Sequence, residues 1–230
     1  MIAPLRSRPL ARAWFAVTAL AVLAALVIQV PVAATGSGGF FSEPWHRALN
    51  VLAFFTIQSN LLVGASGLLV ALDPDRDTVL RRWLALTSTT AITVTGVVYH
   101  LVLSGLVELS PWGRVADTLT HTVVPVLAVA GWLLLGPRDR TSWRLVAASL
   151  AFPLLWAAFT LVRGPLVGGF WPYPFVDVDA LGWGRALLNV AVVGVGFVAV
   201  AAVLHLVDRA LRRSAGPAHP AQAAASSRAG

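Results

Sequence analysis

Residues Ala13 to Ala34 read AWFAVTALAVLAALVIQVPVAA, and no charged residue occurs between Arg12 and Glu43. A helix needs about 20 apolar residues to cross the hydrocarbon of a bilayer, so this stretch is long enough to span one. Arginines precede it and Val32-Ala33-Ala34 closes it, as in a secretory leader. Its apolar core nevertheless exceeds the roughly 7–15 residues of a cleaved leader, and it reads as a retained first span. The whole chain agrees: it is 57% hydrophobic and only 12% charged, about half the charged fraction of a soluble domain.

Working outward from this span, apolar runs between breakers predict an all-α, polytopic membrane protein. Its six helices cover about 13–34, 47–71, 82–106, 116–136, 142–163 and 184–208. Asp73-Pro74-Asp75 and Gly136-Pro137-Arg138-Asp139 are turns between spans. The Gly- and Pro-rich stretch 164–183 is no regular helix, and a lipid-exposed sheet is excluded because its edges would stay unsatisfied. Residues 1–12 form a short N-terminal segment, 13–210 the six-helix bundle, and 211–230 an Ala/Pro/Ser-rich tail expected to be disordered.

All seventeen basic residues are arginine, and thirteen lie in the two termini and the 2–3 and 4–5 connections. The opposite side holds four: Arg47, Arg114, Arg163 and Arg185. The positive-inside rule then places both termini in the cytoplasm, in a multi-pass protein of the cell inner (cytoplasmic) membrane. The formal charge of +7 reflects arginines that flank spans rather than form one patch. The expected partners are therefore membrane lipids and not nucleic acid. Trp45, Trp112, Trp171, Tyr173 and Trp183 fall near the outer ends and read as an interfacial aromatic belt. There is no cysteine, which excludes disulfides, thiolate metal ligands and a cysteine nucleophile. Zinc-ligand spacings, phosphate-binding loops and a Gly-x-Ser-x-Gly elbow are also missing, so no metal and no cofactor is implied.

Two polar islands interrupt the apolar helices: Phe54-Phe55-Thr56-Ile57-Gln58-Ser59-Asn60 and Asp117-Thr118-Leu119-Thr120-His121. Polar side chains at hydrocarbon depth cost free energy unless they face a partner or a cavity. If the helices are regular, Thr56 lies roughly 13 Å below the outer end of helix 2, His121 roughly 8 Å down helix 4, and His100 roughly 9 Å from the outer end of helix 3. Thr56 and Asn60 share a face, as do Asp117, His121 and Pro125, and as do Thr89, Thr93, Gly96 and His100. A threonine and a histidine at one level suit a nucleophile–base pair. Helix spacing then suggests Asp117 as the residue that orients His121, His100 as an alternative orienter or second acid, and Asn60 as a donor to an oxyanion. Arg163, at the outer end of helix 5, is a candidate for binding a substrate carboxylate, or else a snorkelling arginine. The segment 164–175 is a candidate lid.

Phe55-Thr56, His121-Thr122-Val123-Val124-Pro125 and Trp171-Pro172-Tyr173-Pro174-Phe175, in this order and with six helices, resemble the androgen-induced-gene / FAR-17a / ADTRP-like membrane hydrolase family. Phe55-Thr56-Ile57-Gln58-Ser59-Asn60 resembles most its bacterial Pr-six-Pr branch. The resemblance implies an integral-membrane threonine hydrolase acting on fatty acid esters of hydroxy fatty acids, with Thr56 matching the nucleophile and His121 the essential histidine. The chain departs from animal members at Ser59, where those carry an acidic residue. Two other readings remain open: a haem-binding or redox membrane protein using His100 and His121 as axial ligands, and a non-catalytic lipid-binding scaffold.

Overall fold

The computed structural model describes residues 8–36, 40–136 and 140–214. Every regular element among them is a helix, and six helical segments are long and apolar enough to cross a membrane. Span 1 is α1 (Arg8–Thr35). A short helix α2 (Pro44–Asn50) precedes span 2, which is α3 (Phe55–Leu72). Span 3 is α4 (Val79–Val98) extended by a π-helical turn, Tyr99–Leu103. Span 4 joins α5 (Pro111–Thr118) to α6 (Val124–Leu135) through a second π-helical turn, Leu119–Val123. Span 5 is α7 (Trp143–Ser149) with α8 (Ala151–Leu166), and span 6 is α9 (Val178–Ser214), broken at Gly182 (φ 75°). The chain is thus a multi-pass bundle whose even number of spans puts both ends on one side.

The helices run past both limits of the 13–210 bundle predicted from the sequence, from Arg8 to Ser214. Residues 1–7 and 215–230, with Arg6, Arg228 and most of the expected tail, lie outside the described residues, as does Arg138. One expectation is corrected. A single helix over 47–71 does not form, because α2 passes through a 3-10 turn at Val51–Ala53 and the chain is extended at Phe54 (φ −76°, ψ 131°). Helix α3 therefore starts at Phe55, and Thr56 sits in its first turn instead of two turns inside a helix.

Span 3 is the centre of the bundle: 56% of its apolar window is buried, against 17% for span 1 and 22% for span 6. Close approaches fix the neighbours. A Cβ at Gly67 would stand 2.9 Å from the Phe15 carbonyl oxygen, so α1 and α3 cross nearly backbone to backbone there. Trp14 Nε1 donates to the Leu127 carbonyl (2.9 Å) over Gly131, which ties span 1 to span 4. At the arginine-rich end, Asp208 accepts from the Arg140 and Thr141 amides (3.2 Å each) and from the Thr141 hydroxyl (2.8 Å). Burying this carboxylate is tolerable because donors surround it. Phe55, Trp156, Tyr173 and Phe197 pack into an apolar cluster, and with Thr56 they border one cavity.

Outward-facing Leu20, Leu23, Val27, Leu154, Leu155, Val192 and Val195 are exposed. An apolar belt of this extent marks a surface covered by lipid.

Candidate active site

The extended residue Phe54 determines where the site forms. A helix that starts at Phe55 leaves its first N–H groups without intrahelical partners. The Thr56 N–H donates to the Tyr173 hydroxyl oxygen at 3.0 Å, and Thr56 Oγ1 lies 3.1 Å from the same oxygen. The Thr56 carbonyl is held from below by Ser59 Oγ (2.9 Å) and Asn60 Nδ2 (2.7 Å). Thr56 is buried, and each of its polar groups is fixed.

Across from it, His121 stands in the π-turn Leu119–Val123, a wide turn of a type often found at functional positions. His121 Nε2 is 3.2 Å from Thr56 Oγ1. His121 Nδ1 is 3.0 Å from Asp117 Oδ1 and 3.2 Å from both the Asp117 carbonyl and Thr120 Oγ1. Thr120 gives its own hydrogen to the Ala116 carbonyl (2.9 Å). Acceptors therefore surround Nδ1, which must carry the ring hydrogen, and the Nε2 lone pair is left facing the threonine hydroxyl. Tyr99 completes the arrangement. Its ring lies flat on the imidazole (centroids 3.9 Å apart, planes 12° from parallel), and its hydroxyl donates to Asp117 Oδ2.

One consistent hydrogen order runs through the set: Thr56 N–H to Tyr173 O, Tyr173 O–H to Thr56 Oγ1, Thr56 O–H to His121 Nε2, and His121 Nδ1–H to Asp117. Burial pushes the Tyr173 phenol up to about 12, so it keeps its proton and remains a donor. The arrangement has the geometry that a nucleophile, a base and a group orienting the base would need.

Other sequence-based expectations are corrected. Asn60 donates to the Thr56 carbonyl and to the Thr120 carbonyl (3.2 Å), which uses both amide hydrogens. It clasps span 2 to span 4 and offers nothing to an oxyanion. His100 is exposed, and its Nε2 meets Thr122 Oγ1 (3.2 Å) rather than Thr56. The π-turn at Tyr99–Leu103 breaks the regular row from Thr89 to His100, and Tyr99 is the residue that faces the pair. A haem between His100 and His121 does not fit these side chains, because both ring nitrogens of His121 are engaged and Tyr99 covers its face. Arg163 donates to Asn50 Oδ1 (2.8 Å) and lies within 6.0 Å of the Phe41, Phe159 and Phe170 ring centres. It lines neither of the two cavities that touch Thr56.

Tyr173 is not a belt residue, since it is buried against Thr56, whereas Trp45, Trp112 and Trp183 are exposed as a belt requires. Trp171 anchors the 164–175 segment by covering Gly164 and donating to Asp179 Oδ2 (2.8 Å).

Thr56, His121, Asp117 and Tyr173 open onto a cavity of about 410 Å³ roofed by Gly105–Leu109 and Pro172–Pro174. Thr56 and Tyr173 also border a second cavity of about 430 Å³ on the other side. Among the described residues, no cluster of His, Asp or Glu has the makings of a metal site. No family model, curated protein or solved structure matches the chain.

Proposed function

We propose that this protein is an intramembrane hydrolase of lipid esters with Thr56 as nucleophile and His121 as general base. The observation that carries this reading is the hydrogen-bonded row Thr56–His121–Asp117, with Nε2 facing the hydroxyl. The motif resemblance to threonine hydrolases of the androgen-induced-gene family supports the same assignment.

In the proposed reaction Thr56 Oγ1 attacks the ester carbonyl carbon as its proton passes to His121 Nε2. Asp117 stabilises the imidazolium through Nδ1–H. The Tyr173 O–H, released from Thr56 Oγ1 as that oxygen becomes bonded to carbon, turns to the developing oxyanion. It takes the part first expected of Asn60. Collapse breaks the carbon–alkoxy bond, and the leaving alkoxide takes the proton from Nε2. Water then attacks the acyl-threonine, giving one proton to Nε2, which returns it to Thr56 Oγ1 as the fatty acid leaves. Tyr99 holds the imidazole flat and Asp117 in place. With the arginine-rich ends in the cytoplasm, this chemistry takes place toward the outer face of the cytoplasmic membrane.

The test is labelling by a fluorophosphonate probe in membranes. The hydroxyl of Thr56 displaces fluoride, and the wild-type protein is labelled. Thr56→Ala abolishes the label, His121→Ala slows it about 10²–10⁴-fold, and His100→Ala leaves it unchanged. Equal labelling of all four proteins refutes the proposal.

A further inference from the structure

Thr56, Leu103 and Tyr173 belong to the walls of both cavities, so Thr56 stands on the partition between them. The two sides differ in chemistry. The outer cavity contains Asp117, Thr120, His121 and Gln29. The inner one lies between spans 3, 5 and 6, and its wall is apolar except for Thr56, Thr95 and Tyr173. Thr95 offers little to a ligand, since its hydroxyl meets Ser59 Oγ at 3.0 Å. A ligand in this space is therefore hydrocarbon everywhere except at the end that meets Thr56.

The inner cavity is also open sideways. Leu154 and Val195 line it and yet are 66% and 69% exposed, on the surface that lipid covers. Gly194, on the same wall, faces free space, since a Cβ there would meet nothing within 4 Å. An opening between membrane helices that leads from lipid to a buried hydroxyl suits one occupant best, a linear acyl chain already dissolved in the bilayer.

We propose that the inner cavity is the acyl-chain site, filled laterally from the membrane, and that the outer cavity takes the alcohol half of the ester. This assignment rests on Thr56 being the nucleophile, which sets the ester carbonyl at the partition. It makes Gly194 and Ala157 the residues that limit the width of the chain, while the outer cavity, with Asp117, Thr120 and His121 in its wall, accepts alcohols bearing oxygen substituents.

The test uses Thr56→Ala protein in phosphatidylcholine nanodiscs with a fatty ester whose acyl terminus carries an alkyl diazirine. After irradiation, adducts are mapped with and without excess unlabelled ester. Competable adducts are expected on Val98, Ala157 and Ala191. Adding Gly194→Phe lowers them about tenfold or more by filling the cavity. Gly196→Phe, on the same helix but lining neither cavity, keeps them, which controls for folding. Competable adducts on Leu106 or Val107 of the outer cavity, no competable adducts, or indifference to Gly194→Phe would each overturn the assignment. The two proposals fail separately. Fluorophosphonate labelling of Thr56 with adducts confined to the outer cavity removes only the acyl-chain site. Competable inner adducts in a protein that never labels at Thr56 remove only the hydrolase.

Discussion

Tyr99 and Tyr173 are the only tyrosines in the chain, and both hydroxyls end on the row formed by Thr56, His121 and Asp117. Their roles separate in kinetics. Tyr173→Phe removes the donor expected at the oxyanion and lowers kcat about 10²–10³-fold with little change in KM. Asp117→Asn leaves the imidazole without its negative partner and lowers kcat about 10²–10⁴-fold, measured as hydrolysis of a fatty ester in nanodiscs. Thr56, His121 and Asp117 stood out in the sequence as polar residues inside apolar spans, a cost that points them toward a partner or a cavity even though Thr56 follows a helix break and His121 stands in a π-turn. The place of His100 was not legible, because a π-turn breaks the regular winding and nothing in Tyr99-His100-Leu101-Val102-Leu103 announces one. Asn60 was misread for a different reason. A helical side chain can reach the carbonyl four residues back, and the Thr56 carbonyl, with that of Thr120 across the helix pair, takes the amide hydrogens.

The secondary structure shows the same division. Hydropathy and length located all six spans, since nothing else stabilises such runs in lipid. The break ahead of α3 was invisible because Phe54 has neither the fixed φ of proline nor the freedom of glycine, and its ring packs against Phe170 and Tyr173, which are distant in sequence. The loop after α8 starts from a close contact. A Cβ at Gly164 would come within 2.4 Å of the Trp171 ring. Gly164→Leu therefore lifts Trp171, breaks its bond to Asp179 and moves the backbone that carries Tyr173. Activity falls while the six spans persist, and the shift reads out in tryptophan fluorescence. Gly67→Leu acts differently. Its side chain meets the Phe15 backbone, prises α1 from α3 and destabilises the bundle by about 1–3 kcal/mol, seen as a lower Tm in detergent.

At the scale of the whole molecule, the arginine-rich end contains a pH-sensitive clasp. Asp77 is held below the usual carboxylate range, chiefly by its hydrogen bonds to Arg82, against a burial cost that raises it, with Arg140 adding attraction. A depressed folded value means that the stabilisation is complete above the unfolded value of about 3.9 and disappears as pH falls through the lower folded one. Tm in detergent should drop across that window, and Asp77→Asn should flatten the drop while lowering Tm at neutral pH. The side opening of the inner cavity has a consequence for how the proposed hydrolysis would be measured. Since Leu154 and Val195 face hydrocarbon where the inner cavity opens, a substrate arriving there is counted in mole fraction of the lamella and not in bulk molarity. Adding inert surfactant at fixed total ester would then slow turnover by surface dilution alone, with every side chain in its place.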